Sequence, residues 1–323
     1  MNNTFPCVIP LISSDYERTK IHFSTILKKL CVDEVFFIGP IELKEHISRD
    51  ISIGFWNNYK IEIINENELV DFNKLKTIYD ILLGESGNTY PSSVNWYYQQ
   101  FLKMSFSMIC NSEYYLCWDS DTIPLRNISM FNKEGKPYLD IKKENNPVYF
   151  QTIERLFGYS KIIEKSFVSE HMLFSKSIML EIINVIESKP IKGEKFYEKI
   201  MWAVGSDNLT LGFSEFETYG SYIGINYPDK YALRNWKSFR NLNFFVDISE
   251  LNEDDIKWLA KDYDAASFEK YQETEVLLNQ LFRNRRYREK LSPEQFYISI
   301  LESGAMGDYS DGKLKIGNNY YPI

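Results

Sequence analysis

Four short apolar runs, each cut off by a polar or Gly-Pro stop, restrict this chain to a fold in which strands alternate with helices. Cys7-Val8-Ile9-Pro10-Leu11 ends in Ser13-Ser14-Asp15 and reads as a buried strand, a loop and a helix over roughly Tyr16 to Leu30. Glu34-Val35-Phe36-Phe37-Ile38 is stopped by Gly39-Pro40, and Lys60 to Ile64 runs into an acidic, Asn-rich loop. This alternation predicts an α/β domain with a mainly parallel sheet. Pro91-Ser92-Ser93 opens a helix from about Val94 to Cys110, with Ser92 or Ser93 as its N-cap. Directly after it, Tyr114-Tyr115-Leu116-Cys117-Trp118 forms a strand that runs into Asp119-Ser120-Asp121, which places both carboxylates at a strand's C-terminal end. That is the edge where open α/β sheets bind ligands.

Further along, Phe167 to Phe174 reads as a strand, followed by helices from Lys176 to about Glu187 and from Glu194 to Val204. In Phe213-Ser214-Glu215-Phe216-Glu217-Thr218-Tyr219-Gly220-Ser221-Tyr222 the acidic residues alternate with aromatics, so an extended segment would point Glu215 and Glu217 to one side. Beyond about Ser249 the pattern is helical and charged. With no internal repeat or low-complexity linker, the expected division is a catalytic domain over 1–248 and a helical C-terminal extension over 249–323.

Bulk properties remove several function classes. A formal net charge of −8 disfavours a general nucleic-acid binder, which needs a basic surplus to neutralise phosphates. Cys7, Cys31, Cys110 and Cys117 form no CxxC pair and read as buried free thiols in a reducing cytosol rather than a zinc site. The start, Met1 to Pro6, lacks a basic region and a long apolar stretch, so no signal peptide is expected. No apolar run approaches the length of a membrane span, and a cytoplasmic location is expected. Tyr, Phe and Trp make up 16% of the chain; base-composition bias accounts for most of them, and a few are candidate platforms for sugars or bases.

Two carboxylates one residue apart at a strand end suit a hard divalent cation, Mn²⁺ or Mg²⁺, which keeps several waters and takes substrate phosphates. A nucleotide-sugar donor supplies a diphosphate whose charge such a metal offsets as the nucleoside diphosphate leaves. Asp121 is the expected metal ligand; Asp119 is expected on the ribose or a metal-bound water. A bare D-x-D mostly marks a solvated turn, and its place after an apolar strand is what gives it weight.

The ordered blocks Asn95-Trp96-Tyr97-Tyr98-Gln99-Gln100-Phe101-Leu102-Lys103-Met104, Tyr115 to Thr122, Glu170-His171-Met172-Leu173-Phe174 and Ser214 to Gly220 resemble a bacterial GT-A-fold glycosyltransferase group associated with surface-polysaccharide biosynthesis. The resemblance covers about Val8 to Tyr222. It implies a Rossmann-like nucleotide half at the N-terminus and a nucleotide-sugar donor, with uridine as the default base. The expected acceptor is a glycan or lipid-linked glycan hydroxyl.

Around the acidic turn, Trp96, Gln99 or Gln100, and Lys103 recur at helical spacing, so their shared face offers an ammonium and an amide to a phosphate or sugar; a solvated polar face is the alternative. Glu215, or else Glu217, is the candidate base that deprotonates an acceptor hydroxyl in inverting transfer, because a carboxylate among aromatics has a raised pKa. Helix capping or pairing with Arg234 or Arg240 is the alternative for both. His171 is read as a contact for the metal or acceptor, or as a satisfied buried histidine, and Trp118 and Tyr219 complete the expected lining. Asp15 is placed to meet the nucleoside or to cap a helix, and Arg234, with Lys237 and Arg240 around Trp236, to clamp a diphosphate or to form a solvated face. The run Arg283-Asn284-Arg285-Arg286-Tyr287-Arg288 beside Leu277, Leu278, Leu281 and Phe282 forms a basic amphipathic helix over 277–290, read either as a peripheral membrane contact or as a surface helix packed by its leucines.

Two rival functions bear on the same motif. A dehalogenase-type phosphohydrolase wants Thr or Val two residues after the second Asp, where this chain has Ile123, and an early motif rather than one at residue 119. A non-catalytic carbohydrate- or partner-binding protein on the same fold is separated from the enzyme only by turnover.

Overall fold

The computed structural model describes residues 5–86, 93–143 and 146–307, and the backbone strands 309–310, 313–316 and 319–322. Of the expected helix opening, Pro91 and Ser92 lie outside the described residues, and Ser93 is the N-cap without a side-chain capping bond. The chain begins with β1 (Cys7–Pro10), α1 (Ser13–Leu30), β2 (Glu34–Gly39), α2 (Ile41–Ser52), β3 (Lys60–Asn65) and α3 (Phe72–Glu85). It continues with α4 (Val94–Ser105), β4 (Tyr114–Trp118), β5 (Thr122–Pro124), β6 (Tyr138–Ile141), α5 (Pro147–Phe157) and β7 (His171–Ser175). Next come α6 (Lys176–Ser188), α7 (Phe196–Val204), α8 (Glu215–Asn226), β8 (Ala232–Asn235) and β9 (Ser238–Phe239). Then follow α9 (Glu253–Leu259), β10 (Ala265–Ser267), α10 (Val276–Phe282), α11 (Arg285–Lys290) and α12 (Pro293–Glu302). Two compact units result: residues 1–13, 32–119 and 130–236, and residues 14–31, 120–129 and 237–323.

The first unit carries a five-stranded sheet in the order β3-β2-β1-β4-β7, parallel except for β7, which runs antiparallel to β4. It is the mixed, mainly parallel sheet of an α/β fold. Its central strands are apolar runs because both faces are covered: Cys7, Val8 and Ile9 of β1 and Tyr115 to Trp118 of β4 have no exposed surface. From β1 the chain adds β2 and β3 on one side and β4 on the other, so the strand order reverses between β1 and β4. In open α/β sheets that reversal opens a ligand crevice at the strands' C-terminal ends, where β4 delivers Asp119.

Aromatic residues fill this unit's core, including Phe101, Phe106, Tyr115, Phe174, Phe196, Phe213 and Tyr219. Edge-to-face pairs such as Phe106–Tyr115 at 5.2 Å and Phe174–Tyr219 at 4.7 Å give the packing its geometry. Cys7, Cys110 and Cys117 are buried free thiols as expected, whereas Cys31 is exposed, just past the end of α1.

In the second unit β10 lies between β5 and β9, with Ala266 opposite Ile123 in the antiparallel pair and opposite Phe239 in the parallel one. Helix α1 belongs here: His22 Nε2 lies 2.7 Å from the Ile248 carbonyl, and Lys29 Nζ donates to the Leu125 carbonyl at 3.0 Å. The division therefore differs from the expected boundary at 248/249, because the C-terminal unit starts at Lys237 and takes in both α1 and 120–129. Helical periodicity tells which face of α1 is buried, not which part of the chain covers it.

The basic amphipathic helix expected over 277–290 is instead two short helices, α10 and α11, broken at Arg283-Asn284, where Asn284 caps the second. Arg283 and Arg288 turn inward to Asp255, at 2.7 and 2.5 Å, and Arg285 pairs with Glu289 on the surface. Burying Leu278 and Phe282 while spending two arginines on an internal carboxylate fits the packed surface helix rather than the membrane contact. Among the described residues no helix is long and apolar enough to cross a membrane.

Candidate functional site

In the first unit, α4 sets two side chains against the start of α8. Gln100 and Lys103, one helical turn apart, are both buried despite their polarity. The Gln100 amide nitrogen donates to the Trp96 carbonyl, and its oxygen accepts from the Glu215 backbone N–H at 3.1 Å, so it caps one of α8's unpaired donors. The Lys103 ammonium lies 2.9 Å from Asp119 Oδ1 and 3.0 Å from Glu215 Oε1, and 4.5 Å from the centre of the Phe216 ring. Burial alone would push the lysine down, but Asp119 and Glu215 outweigh it, and Lys103 is held well above its ordinary range.

Asp119 is fixed from two further directions. Its backbone N–H donates to the Glu170 carbonyl, continuing the β4–β7 pairing, while Tyr115 Oη donates to the Lys103 carbonyl and ties α4 to β4. Of the three charged groups, only Asp119 reaches solvent to a useful degree, with 37% of its side chain exposed against 5% for both Lys103 and Glu215. Gln100 and Lys103 thus differ from the expected open face: Gln100 is a helix cap, and Lys103 reaches the site only through Asp119.

Phe213 to Tyr222 is not an extended segment. Ser214 is an N-cap whose hydroxyl accepts from the Glu217 N–H, and α8 starts at Glu215. The two glutamates consequently diverge. Glu215 meets Lys103, whereas Glu217 Oε2 accepts from Ser166 Oγ at 2.5 Å and from the Phe167 N–H at 3.0 Å. Burial raises both carboxyl pKa values, opposed by Lys103 at Glu215 and by Ser166 and Phe167 at Glu217. Glu217 therefore favours folding fully below its unfolded value, and the contribution is lost as pH rises through the raised folded value. Glu217→Gln keeps an oxygen for Ser166 and Phe167 and removes the charge. Its melting temperature is expected to match or exceed wild type near about pH 8, with any gain shrinking towards about pH 5. Thermal unfolding across that range checks this, and a variant clearly weaker at the upper end contradicts it.

His171 opens β7 opposite Trp118, and its ring lies between Trp118 at 4.8 Å and Trp236 at 4.4 Å. Its Nε2 lies 2.9 Å from Asp140 Oδ2, while its buried Nδ1 meets no hydrogen-bond partner among the described residues. Asp140 and Arg234 face each other in the parallel β6–β8 pair, and Arg234 donates to both Asp140 oxygens, at 2.6 and 2.7 Å. Burial would raise the Asp140 carboxyl, yet Arg234 and His171 hold it below its usual value. Arg234 is therefore committed to an internal carboxylate rather than standing open as a phosphate clamp. Glu170 accepts from Lys142 and from the Trp236 indole N–H. Trp118 and Tyr219, expected as lining, have no exposed surface; the Tyr219 hydroxyl accepts from the Ser175 N–H and meets that of Tyr231.

In the second unit Asp121 faces Arg18, with Oδ2 at 3.8 Å from Nη2, and its backbone carbonyl accepts from the Phe268 N–H. Arg18 Nη1 donates to the Phe268 carbonyl at 2.9 Å. Asp15 lies in the first turn of α1 and pairs with Lys270 at 3.1 Å. Lys237 pairs with Glu294 and Arg240 with Glu269. Neither Arg18 nor Asp140 was found from sequence. An i,i+3 neighbour of Asp15 on a charged helix carries no signal of its own, and the Asp140–Arg234 pairing joins residues 94 apart.

Asp119 and Asp121 belong to different units but are separated in the chain by Ser120 alone. Among the described residues no group of three or more His, Cys, Asp or Glu side chains converges as a metal cage. Each carboxylate, with 37% and 25% of its side chain exposed, is a hard-oxygen donor of the kind Mg²⁺ or Mn²⁺ accepts when water and substrate phosphates complete its shell. The residue types fit such an ion.

Residues 3–280 match the sequence model of a family of unknown function, DUF6492. No curated protein matches the chain. Three solved structures show low-scoring likeness. Apo mouse xyloside xylosyltransferase 1 is 13% identical at a TM-score of 0.43, over 82% of this chain and 97% of its own. Galactosyltransferase LgtC in complex with donor and acceptor sugar analogues is 9% identical at 0.43, over 89% and 100%. A putative glucose-1-phosphate thymidylyltransferase from Bacillus anthracis, in complex with a sucrose, is 10% identical at 0.39, over 72% and 86%. Likeness at this level reaches no individual residue.

Proposed function

The chain belongs to the DUF6492 family, whose function is unknown, and we propose that it is a glycosyltransferase of GT-A type that takes its sugar from a nucleoside diphosphate, uridine favoured. The observation that carries this reading is the place of Asp119: a partly exposed carboxylate at the C-terminal end of β4, where the strand order reverses, held by a buried ammonium. With Oδ1 on Lys103, the Asp119 carboxylate retains acceptor capacity for ribose hydroxyls, since an ionised carboxylate offers about four lone-pair sites. Asp121 would hold Mn²⁺ or Mg²⁺ together with water and the donor's phosphates. Such an ion offsets the diphosphate charge that grows as the glycosidic bond to phosphate breaks. Arg18 and Lys270 place cationic groups beside Asp121 and Asp15 within the second unit, as a diphosphate needs. A glycan or lipid-linked glycan hydroxyl is the proposed acceptor and the cytoplasm the proposed setting; the proposed role in surface-polysaccharide synthesis rests on the sequence resemblance.

A thermal-shift screen of nucleoside diphosphates and nucleotide sugars, with and without Mn²⁺, tests the reading. UDP at a hundredfold excess over Kd is expected to stabilise the chain by about 2.7 kcal/mol in the presence of the ion, and markedly less in its absence. No shift with any nucleotide contradicts it. Binding without hydrolysis or transfer of any nucleotide sugar supports a non-catalytic binding protein instead.

A further inference from the structure

The Lys103 cluster contains one ammonium and two carboxylates, and only one of the carboxylates faces solvent. Glu215 is on the inner side, at the first position of α8, with its backbone N–H on Gln100 and its carboxylate on Lys103. It stands where a counter-ion for a buried lysine is required, because an unpaired ammonium in that position is strongly unfavourable. A carboxylate this enclosed and already bound to an ammonium is poorly placed to accept a proton from an incoming hydroxyl, which a general base must approach to hydrogen-bond distance.

We propose that Lys103 and Glu215 are positioning residues for the donor nucleotide: Lys103 orients Asp119 towards the ribose, and Glu215 holds Lys103 midway between two carboxylates, so that Asp119 keeps its acceptor strength. The inference rests on the donor-site reading of Asp119 and assigns Glu215 a task other than proton transfer. Charge counting makes it specific. In Glu215→Gln the ammonium has a single carboxylate left, Asp119, and pairs with it fully; the oxygen that should accept from the ribose is partly neutralised, and nucleotide affinity falls. In Asp119→Asn the buried Lys103–Glu215 pair becomes balanced, so folding is preserved while the ribose contact is lost.

The test is calorimetric titration of UDP with Mn²⁺ into wild type, Glu215→Gln, Asp119→Asn and the double variant Lys103→Met/Glu215→Gln. The double variant removes ammonium and counter-ion together and so avoids the two facing carboxylates that Lys103→Met alone would leave. It is paired with the pH dependence of kcat/KM for nucleotide-sugar hydrolysis. Expected are a three- to tenfold weaker affinity in Glu215→Gln, the scale of one ordinary hydrogen bond, and a comparable or larger loss in the other two. The acid limb of the Glu215→Gln pH profile stays in place, and its kcat falls less than about tenfold. Loss of kcat by about a hundredfold or more with unchanged UDP affinity and a vanished acid limb would identify Glu215 as the base and overturn the proposal. Unchanged affinity in Glu215→Gln and in the double variant, with the loss retained in Asp119→Asn, overturns it alone. A wild type that binds no UDP overturns the donor-site reading and this inference with it.

Discussion

Asp255→Ala is expected to destabilise the protein by about 3–5 kcal/mol, a melting-point fall of order 10 °C. Asp255 has no exposed surface; it accepts from Arg283 Nη1 at 2.7 Å, Arg288 Nη2 at 2.5 Å and, closing a capping box, the Asn252 N–H at 3.1 Å. Removing it leaves two guanidiniums facing each other without their shared carboxylate and opens the first turn of α9. Arg288 keeps the Phe282 carbonyl and ring, and Arg283 the Glu250 carbonyl, which limits the loss without cancelling it. Asp255→Asn, which retains the shape and an acceptor, should fall between the two. Denaturant melts of the three proteins check this, and a loss under about 1 kcal/mol for the alanine variant would mean that the arginines are held by other contacts.

Asp121→Ala is expected to lower nucleotide-sugar turnover by about 10²–10³-fold or more, the scale on which a group that stabilises developing charge contributes. Its stability should stay within about 0.5 kcal/mol of wild type. The contrast with Asp255 is physical. A quarter of the Asp121 side chain is exposed and its ion pair with Arg18 is long at 3.8 Å, whereas Asp255 has no exposed surface and holds two arginines at 2.7 and 2.5 Å. Activity and melting temperature measured on the same preparation separate the two effects; an active Asp121→Ala variant removes this residue from the proposed site.

The parts of the fold that could be read from sequence are those fixed by local pattern. Tyr114 to Trp118 is a wholly apolar strand feeding an acidic turn, and the presence of α4, β7 and α6 followed from period. The alternation in Ser214-Glu215-Phe216-Glu217 misled, because a buried helix also places apolar residues beside charged ones when those charges are internally paired. The signal for a helix was present in Ser214-x-x-Glu217, a capping pattern, and Gly220 serves that helix, since a Cβ there would fall 2.3 Å from Phe167 Cγ. The expected strand at Phe167 starts only at His171, because the Phe167 N–H is spent on Glu217.

Site chemistry was less legible for a different reason. Lys and Glu are normally exposed, so nothing in Lys103 or Glu215 as letters announces that each is the other's buried partner across 112 residues. Asp140 and Arg234 likewise meet only because β6 and β8 pair in register. The joining of α1 to the C-terminal part depends on contacts such as His22 with Ile248, which no periodicity encodes.

The most direct test of the donor-site account is release of nucleoside diphosphate from a panel of nucleotide sugars, assayed with Mn²⁺ and after its removal by chelation, for wild type beside Asp121→Ala. The account predicts release from at least one UDP-sugar by wild type, lost on chelation and lost in the variant. Ion-independent release that persists in Asp121→Ala, or none from any nucleotide sugar, would contradict it.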